Sequence, residues 1–342
     1  MIKKILLGTV AVIGLISLGG AAFLYSLVNQ EVDEYFAGTC TDVPLPGSGE
    51  DTQIDRERGL AFVSVIDRMA IAQGEPADPG MIMRIDLNQD PLAAVPALTG
   101  GPELRPHGVS IFIDSNGRRH LFVINHPADR SSGDERIELY LESTPGLYVH
   151  EETFASPLIT RANDMVAVGP RSFYVAQDVD RTSGETLTQL VYFDGASYTS
   201  VADDIQSGGG INVSADLQTL YIAETGGESI RVAELNADGT IADARSISLG
   251  TAPDNIDIAA DGSLWVGAHS NTAALAMHFI VGAQAPSQIL RLDLTGTEPV
   301  IEEIYMDAGD EISAGSGGTT YEGRLFIGSI TARKLLACTM DT

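Results

Sequence analysis

The sequence predicts an all-β fold, a six-bladed β-propeller, that follows an N-terminal transmembrane or signal-anchor helix. Two observations predict the propeller. After residue 50, short runs of apolar, β-branched and aromatic residues alternate with turns of Gly, Asn and Asp, a pattern typical of strands. One short apolar pattern also recurs six times along the chain. A long uncharged stretch near the start of the chain predicts the helix.

The recurring pattern is a triplet of apolar residues that we expect to end a strand, with a polar turn just before it. The triplets are Leu60-Ala61-Phe62, Leu121-Phe122-Val123, Phe173-Tyr174-Val175, Leu220-Tyr221-Ile222, Leu264-Trp265-Val266 and Leu325-Phe326-Ile327. They lie 44 to 61 residues apart. Units of that length match propeller blades of four strands.

A further strand is predicted after each of the first five triplets. These strands are Ile82–Leu87, Ile137–Leu141, Leu190–Phe193, Ile230–Glu234 and Ile289–Leu294. Two stacked β-sandwich domains are the alternative, and the continuous repeat without a linker disfavours them.

The composition narrows the classes of function. The chain has 342 residues, of which 44% are hydrophobic, so a sizeable core is possible and general disorder is excluded. With 20 basic and 47 acidic residues, the net charge is −27. That charge repels a phosphate backbone, which argues against nucleic acid as a partner, and it argues equally against a polybasic membrane-binding surface. It suits a soluble, salt-exposed protein or one that holds cations.

Residues 5–28 carry no charge and follow two lysines. As a helix this stretch spans about 36 Å, against a hydrocarbon core of ~30 Å. It is either a retained anchor with the lysines in the cytoplasm, or a cleaved signal with Gly20-Ala21-Ala22 as the cleavage site. In both cases residues 1–29 form a targeting segment. Residues 30–342 then form a propeller outside the cytoplasm, either periplasmic or extracellular.

The two cysteines of the chain, Cys40 and Cys338, lie near the two ends of the predicted propeller. Two cysteines are too few for a zinc cluster or a disulfide-rich scaffold. A bond between them would tie the ends of the folded body together and contribute roughly 5 kcal/mol as an upper figure. The alternative is two unpaired buried thiols.

Polar residues recur at one offset from the triplets. About ten residues before each triplet we expect the start of the strand that lines the central channel. In three units this position holds Glu50, Asn163 and Asp254, followed one residue later by Asp51, Asp164 and Asn255. Because the inner strands of all blades meet at one axis, these oxygens can surround one point. Calcium takes about 6–8 oxygen ligands of this kind, so the alignment predicts a calcium site. Purely local side-chain bonding in turns is the alternative for any single pair.

Three histidines also fall on repeat-defined positions. His107 stands at the channel position of the second unit, and His126, Asp178 and His269 share a position five residues after the start of a triplet. A lone histidine in a strand is usually structural, but this coincidence predicts a catalytic role for His107, His126 and His269. The remaining histidines have no such support: His120, His150 and His278.

Several motifs resemble the paraoxonase/arylesterase family, and the resemblance covers nearly the whole chain. The motifs are Gly59-Leu60-Ala61-Phe62, Pro106-His107-Gly108-Val109-Ser110, Asn125-His126-Pro127, Asn163-Asp164-Met165-Val166-Ala167-Val168-Gly169-Pro170, Asp254-Asn255-Ile256, Leu264-Trp265-Val266-Gly267-Ala268-His269 and the context of Cys338. The resemblance implies a six-bladed propeller with two calcium ions in its tunnel. It also implies hydrolysis of lactones and aryl esters, and sometimes of organophosphate triesters. Family members commonly keep their N-terminal hydrophobic segment and join their termini by a disulfide.

The resemblance further implies site residues. The catalytic calcium is expected on Glu50, Asn163, Asp254 and Asn255. The structural calcium is expected on Asp51, Asp164 and the backbone carbonyl of Val109. His107 and His126 match the histidine dyad of the family, and His269 matches another histidine near the site.

One position departs from the family. The family has an Asn ligand where this chain has Gly209, so one side-chain oxygen is missing. Asn212 should point to the other face of its strand. Besides Asn212, a water or the nearby Asp203 or Asp204 are the candidates for the vacancy.

The expected activity is metal-assisted hydrolysis of a small-molecule lactone or ester. Calcium would act as a Lewis acid on the carbonyl, and the histidine dyad would activate water. The chain has no Gly-x-Ser-x-Gly motif, which disfavours a serine esterase. Two alternatives stay open: a non-catalytic, membrane-tethered propeller with structural calcium, and a metal-dependent phosphotriesterase.

Overall fold

A computed structural model describes residues 32–180 and 182–341. Six sheets of four or five strands follow one another along the chain, and their strands are antiparallel except for one short parallel pair at residues 98–99 and 148–149. The first strand of each sheet contacts the first strand of the next, and the sixth contacts the first, so the sheets close into a ring. The predicted six-bladed propeller is therefore confirmed. The predicted N-terminal helix lies outside the described residues, and none of the helices within them is both long enough and apolar enough to span a membrane.

The strands are numbered in chain order. Two precede the first blade: β1 Tyr35–Phe36 and β2 Gly38–Pro44. Blade 1 contains β3 Ser48–Asp55, β4 Leu60–Ile66, β5 Met81–Asp86 and β6 Ala94–Pro96. Blade 2 contains β7 Leu98–Thr99, β8 Pro106–Ile113, β9 Arg119–Asn125, β10 Arg136–Thr144 and β11 Leu147–Ala155. Blade 3 contains β12 Ala162–Ala167, β13 Phe173–Gln177, β14 Thr188–Phe193 and β15 Tyr198–Ile205.

The second half of the ring repeats this plan. Blade 4 contains β16 Gly208–Val213, β17 Thr219–Glu224, β18 Ser229–Leu235 and β19 Ile241–Ser248. Blade 5 contains β20 Ala252–Ile258, β21 Leu264–His269, β22 Ser287–Asp293 and β23 Val300–Asp307. Blade 6 contains β24 Gly315–Tyr321, β25 Arg324–Ser329 and β26 Lys334–Met340. The helices are α1 Arg68–Ala72 and α2 Thr272–Val281, with short 3-10 turns at Arg130–Ser132 and Thr225–Gly227.

All six apolar triplets lie in the second strand of a blade, between the channel-lining strand and the third strand. The expectation that they end a strand is wrong, because each triplet lies at or near the start of its strand. The triplets recur because the second strand is covered on both faces by neighbouring blades. Phe62, Phe122 and Val175, for example, are fully buried.

The N-terminal strand closes the ring. Strand β2 pairs antiparallel with β26 and supplies the fourth strand of blade 6. Cys40 stands directly opposite Cys338 in this pairing, and the two are joined by a disulfide. The predicted bond between the ends of the propeller is therefore present, and it links β2 covalently to β26, the last strand.

Candidate functional site

A β-bulge interrupts every inner strand at the same height. The register shifts lie between Gly49/Thr52, Pro106/Val109, Ala162/Asp164, Gly208/Ile211, Pro253/Ile256 and Gly315/Gly317. A regular strand points successive side chains to opposite faces, whereas a bulge re-aims them. This explains how adjacent residues such as Glu50 and Asp51, or Asp254 and Asn255, both serve the central channel. The repeated bulge is the structural origin of the polar offset found in the sequence.

The bulges open onto a cavity of about 300 Å³. The predicted site residues that line it are Glu50, His107, Asn163, Asp254 and His269. Asn255 reaches the same place through Glu50, because its Nδ2 donates to Glu50 Oε1 at 2.8 Å. Four apolar residues also line the cavity: Val179, Leu275, Phe279 and Ile330. The structure thus brings charged oxygens and apolar side chains together around one space.

Glu50 is the central acid of this cavity and is buried. Its Oε2 lies 3.3 Å from Nε2 of His107 and 3.8 Å from Arg68, without a hydrogen-bond partner of good geometry. Burial alone would raise the pKa of Glu50, but His107 and then Arg68 outweigh it and hold the pKa at about 2. Glu50 is therefore an ionised acid with one oxygen left over.

The two predicted dyad histidines touch each other. Nδ1 of His107 lies 2.7 Å from Nε2 of His126, and Nδ1 of His126 lies 2.6 Å from Oε2 of Glu135. The other carboxylate oxygen of Glu135 accepts from Nε of Arg130 at 3.0 Å. The backbone N–H of His126, which directly follows β9, donates to Arg105 O. A chain of three side chains therefore leads from a buried carboxylate to the cavity.

Burial shifts the pKa values of both His126 and Glu135. It lowers the pKa of His126 well below its ordinary value, and the positive charge of Arg130 adds to the effect. Burial also raises the pKa of Glu135 to about 7, although Arg130 opposes that change. His126 is therefore a neutral imidazole at neutral pH, which suits a group that accepts and passes on a proton.

His269 takes a different place from the other two histidines. It is buried at the end of β21, and its Nε2 lies 3.0 Å from Oδ2 of Asp254. Its Nδ1 has no hydrogen-bond partner. The structure thus brings His269 to the cavity beside a predicted ligand and apart from the histidine pair.

Asp51 and Asp164 lie deeper and tie neighbouring blades together. Oδ2 of Asp51 accepts from the backbone N–H of Val109 at 2.7 Å, and Oδ2 of Asp164 accepts from that of Ile211 at 2.8 Å. Burial, and after it the charge of Glu50, raises the pKa of Asp51 to about 8. Burial and then Asp51 raise the pKa of Asp164 well above its ordinary value. These two acids repel each other where water does not screen them.

The donor set fits a hard cation such as calcium. Oε2 of Glu50 and Oδ1 of Asn163 are buried oxygens without a hydrogen-bond partner. Gly210 keeps side chains out of the space around Asp254, since a Cβ there would lie 2.5 Å from Asp254 O. Among residues 32–180 and 182–341, no group of three His, Cys, Asp or Glu side chains could hold a metal alone. Amide, hydroxyl or backbone oxygens must therefore complete such a site, as is usual for calcium.

The side chains that could replace the ligand oxygen missing at Gly209 lie elsewhere. Asn212 donates from Nδ2 to the backbone of Ile256 in the next blade and accepts from Val213. Asp203 and Asp204 are exposed on the outer strand β15, where Asp204 pairs with Arg231. Asn212 thus turns away from the vacancy, as its position on the strand predicted. The alternative that Asp203 or Asp204 fills the vacancy is wrong, because both are exposed on the outer strand.

A sequence profile of the Arylesterase family matches residues 48–340. Serum paraoxonase/arylesterase 2 of Gallus gallus is 31% identical over 327 residues, which cover 90% of each chain. Serum paraoxonase/arylesterase 1 of Homo sapiens is 30% identical over 307 residues, covering 84% of each. This chain belongs to the arylesterase family. Membership supports a hydrolase that acts on esters or lactones.

Solved structures share the fold of this arylesterase-family chain at much lower identity. A luciferin-regenerating enzyme matches 88% of this chain and 95% of its own, with a TM-score of 0.58 and 12% identity. A structure described as that of a "putative gluconolactonase" matches 90% of this chain and 94% of its own, with a TM-score of 0.54 and 14% identity. These likenesses concern the propeller architecture alone.

The sequence pattern missed four polar residues of the site in this family member. They are Arg68, Arg130, Glu135 and Thr225. All lie outside the inner strands, on connections whose length differs between blades, so no repeat aligns them. The sequence does not single out Glu135, because the ten residues after His126 hold three acids. Burial distinguishes Glu135 from the other two, and burial is visible only in the structure.

The other histidines serve the scaffold. His120 lies near Asp114 on the same hairpin, and His150 contacts the buried Glu138. His278 in α2 lies 2.7 Å from the hydroxyl of Thr331. None of the three lines the cavity.

Proposed function

We propose that this protein is a calcium-dependent lactonase and arylesterase whose base is the pair His107 and His126. The observation that carries the proposal is the chain from Glu135 through His126 to His107, because it ends in a cavity lined by carboxylate and amide oxygens. Bound calcium would supply a Lewis acid that polarises the ester carbonyl and stabilises the negative charge formed on its oxygen.

Two groups of residues would hold the ions. Glu50, Asn163, Asp254 and Asn255 would hold the catalytic one, and Asp51, Asp164 and the carbonyl of Val109 the structural one. The unpartnered Glu50 Oε2 and Asn163 Oδ1 support the first group. The raised pKa values of Asp51 and Asp164 support the second, since a cation between two buried acids removes their repulsion.

The protein's own residues would handle the proton. Neutral His126 donates its Nδ1 hydrogen to Glu135, so its Nε2 accepts from Nδ1 of His107. Nε2 of His107, which lies 3.3 Å from Oε2 of Glu50, would take a proton from the water that attacks the carbonyl, and the Glu50 carboxylate would stabilise the imidazolium that forms. His269 would hold the carboxylate of Asp254 in place. Leu275 and Phe279 would receive the apolar part of the ester.

The proposal extends to the location of the protein. The disulfide between Cys40 and Cys338 supports an extracytoplasmic propeller, because such bonds persist in oxidising compartments. The relatives are named as serum proteins, which agrees with that location. Residues 5–28 would attach the propeller to a membrane unless they are cleaved.

Turnover of a δ-lactone and of phenyl acetate, with and without a chelator, tests the proposal. We expect both activities to vanish with the chelator and return with added calcium. His107→Gln and His126→Gln should each lower kcat by about 100-fold or more. His120→Gln is the matched control on the same hairpin and should keep the activity. Unchanged turnover in both dyad variants would contradict the histidine pair, and a preference for a phosphotriester would favour the other hydrolase class.

A further inference from the structure

The space beside Gly209 is taken by a hydroxyl group. A Cβ built on Gly209 would lie 2.7 Å from Oγ1 of Thr225, and 3.5 Å from both Cα and O of Asp254. Real Cβ atoms do not approach another atom so closely, so no side chain fits at position 209 while Thr225 stays where it is. Thr225 belongs to the following loop and borders the same cavity as Glu50 and Asn163.

The orientation of Thr225 is fixed by the backbone around it. Its N–H donates to Ser207 O at 3.0 Å, and the next residue donates from Gly226 N to Gln206 O at 2.9 Å. The side-chain hydroxyl donates to Pro253 O at 2.8 Å, immediately before Asp254. A hydroxyl has one hydrogen to donate and two lone pairs. With its hydrogen committed to Pro253, the oxygen of Thr225 is left as an acceptor at the edge of the cavity.

We propose that Thr225 Oγ1 is a metal ligand that replaces, from a different strand connection, the side-chain oxygen missing at Gly209. The inference rests on the proposed calcium site. Calcium accepts neutral hydroxyl, amide and carbonyl oxygens beside carboxylates, so a threonine oxygen suits the ion chemically. Gly209 and Thr225 then act as a pair: the glycine makes room, and the threonine supplies the oxygen.

Calcium affinity of the full-length protein, stripped of metal and titrated calorimetrically with calcium ions alone, tests the pair. Thr225→Val keeps the shape but removes the oxygen, and it should weaken calcium binding by about 10-fold or more. Thr225→Ser keeps the oxygen and should stay within about 3-fold of the wild type. Gly209→Asn alone should weaken binding as well, because its Cβ meets the Thr225 hydroxyl.

The double variant is the decisive measurement. Thr225→Ala combined with Gly209→Asn moves the oxygen back to position 209 and should restore affinity to within about 3-fold of the wild type. Thr188→Val is the matched control, since the hydroxyl of Thr188 also donates to a backbone carbonyl at 2.8 Å, that of Gln177. It should leave calcium affinity unchanged.

The outcomes test the role of Thr225 separately from the proposed calcium site. If the wild type binds calcium and folded Thr225→Val binds it equally well, Thr225 is structural and this inference is wrong while the calcium site stands. If Thr225→Val does not fold, Thr225→Ser and the double variant still decide, because a double variant that does not regain affinity contradicts the pair. If the wild type itself binds no calcium, both this inference and the proposed calcium chemistry are wrong.

Discussion

Oε2 of Glu135 lies 2.6 Å from Nδ1 of His126, and this contact fixes where the protons sit in the histidine pair. Above its pKa of about 7 the Glu135 carboxylate only accepts hydrogen bonds, so Nδ1 of His126 then carries the hydrogen. Nε2 of His126 is then an acceptor for Nδ1 of His107, 2.7 Å away. One buried acid therefore determines that Nε2 of His107 is the nitrogen offered to the cavity.

Replacing Glu135 should slow catalysis without weakening substrate binding. In Glu135→Gln the amide lacks the negative charge that stabilises a proton arriving on the histidine pair, so we expect kcat to fall by about 10- to 100-fold. KM should stay nearly constant, because Glu135 is buried behind His126 and does not line the cavity. Steady-state kinetics on phenyl acetate and a δ-lactone measure both constants.

Glu138 offers the matched control for that variant. It is a buried acid on the same segment, but it contacts His150 and Thr153 rather than the histidine pair. Glu138→Gln should lower the melting temperature and leave kcat of the folded enzyme unchanged. Equal losses of kcat in both variants would show that Glu135 acts through stability alone.

Glu135 should also make stability depend on pH. Its pKa rises from 4.5 to about 7 because it is buried, so the folded protein holds a proton that the unfolded chain releases above pH 4.5. The free energy of unfolding contributed by this group is complete below pH 4.5 and is lost as the pH rises through 7. The full loss amounts to roughly 3 kcal/mol. The charges of Arg130, His107 and Asp178 act on Glu135, and His126 contacts it directly.

Denaturation of the wild type and Glu135→Gln at pH 5 and pH 8, at a constant calcium concentration, measures this effect. The stability difference between the two proteins should shift by a few kcal/mol in favour of the glutamine variant at the higher pH. A difference that stays the same at both pH values would contradict the buried protonated state of Glu135.

The repeat made one part of the site visible in the sequence. Glu50, Asn163 and Asp254 stand on inner-strand bulges that all six blades share, so a fixed distance from an apolar triplet identifies them. The same regularity predicted the sheets and the channel-lining strands. The disulfide was predictable as well, since a chain with two cysteines at the ends of a closed ring has a single possible pair.

Other features depend on contacts that no spacing encodes. Glu135 and Thr225 lie on connections whose lengths vary from blade to blade, so no fixed spacing identifies them. Glu135 reaches the site through His126 and Thr225 through Pro253. The triplets were assigned to the wrong end of a strand, because burial on both faces leaves no alternation to show where a strand begins. The periodicity of the sequence thus predicts the ring of blades, whereas the site residues on the loops are identified only by their packing in the structure.

Calcium removal should destabilise the wild type through its deep pair of acids. Asp51 and Asp164 repel each other when no cation lies between them, so a chelator should lower the melting temperature and saturating calcium should raise it. At a thousand-fold excess over Kd the gain is about 4 kcal/mol. Asp164→Asn should lose at least half of the calcium-dependent increase, which differential scanning calorimetry measures.

Asp307→Asn is the control for that experiment. Asp307 is also buried and accepts backbone hydrogen bonds from Gly309 and Ile312, but it lies in blade 5 and outside the cavity lining. Its replacement should lower the melting temperature by the same amount with and without calcium. A wild-type melting temperature that ignores both chelator and calcium would contradict the deep site.

Breaking the disulfide should loosen the ring where the chain ends meet. Cys40 and Cys338 stand opposite each other in the pairing of β2 with β26, and the bond closes a loop of 298 residues in sequence separation. A double Cys→Ser variant should lose up to about 5 kcal/mol of unfolding free energy, because its unfolded chain gains entropy. The hydrogen bonds of β2 and the inner-strand bonds remain, so kcat well below the melting temperature should be unchanged. Thermal unfolding and limited proteolysis of β2 measure the loss. If the variant melts with the wild type, strand pairing alone closes the propeller.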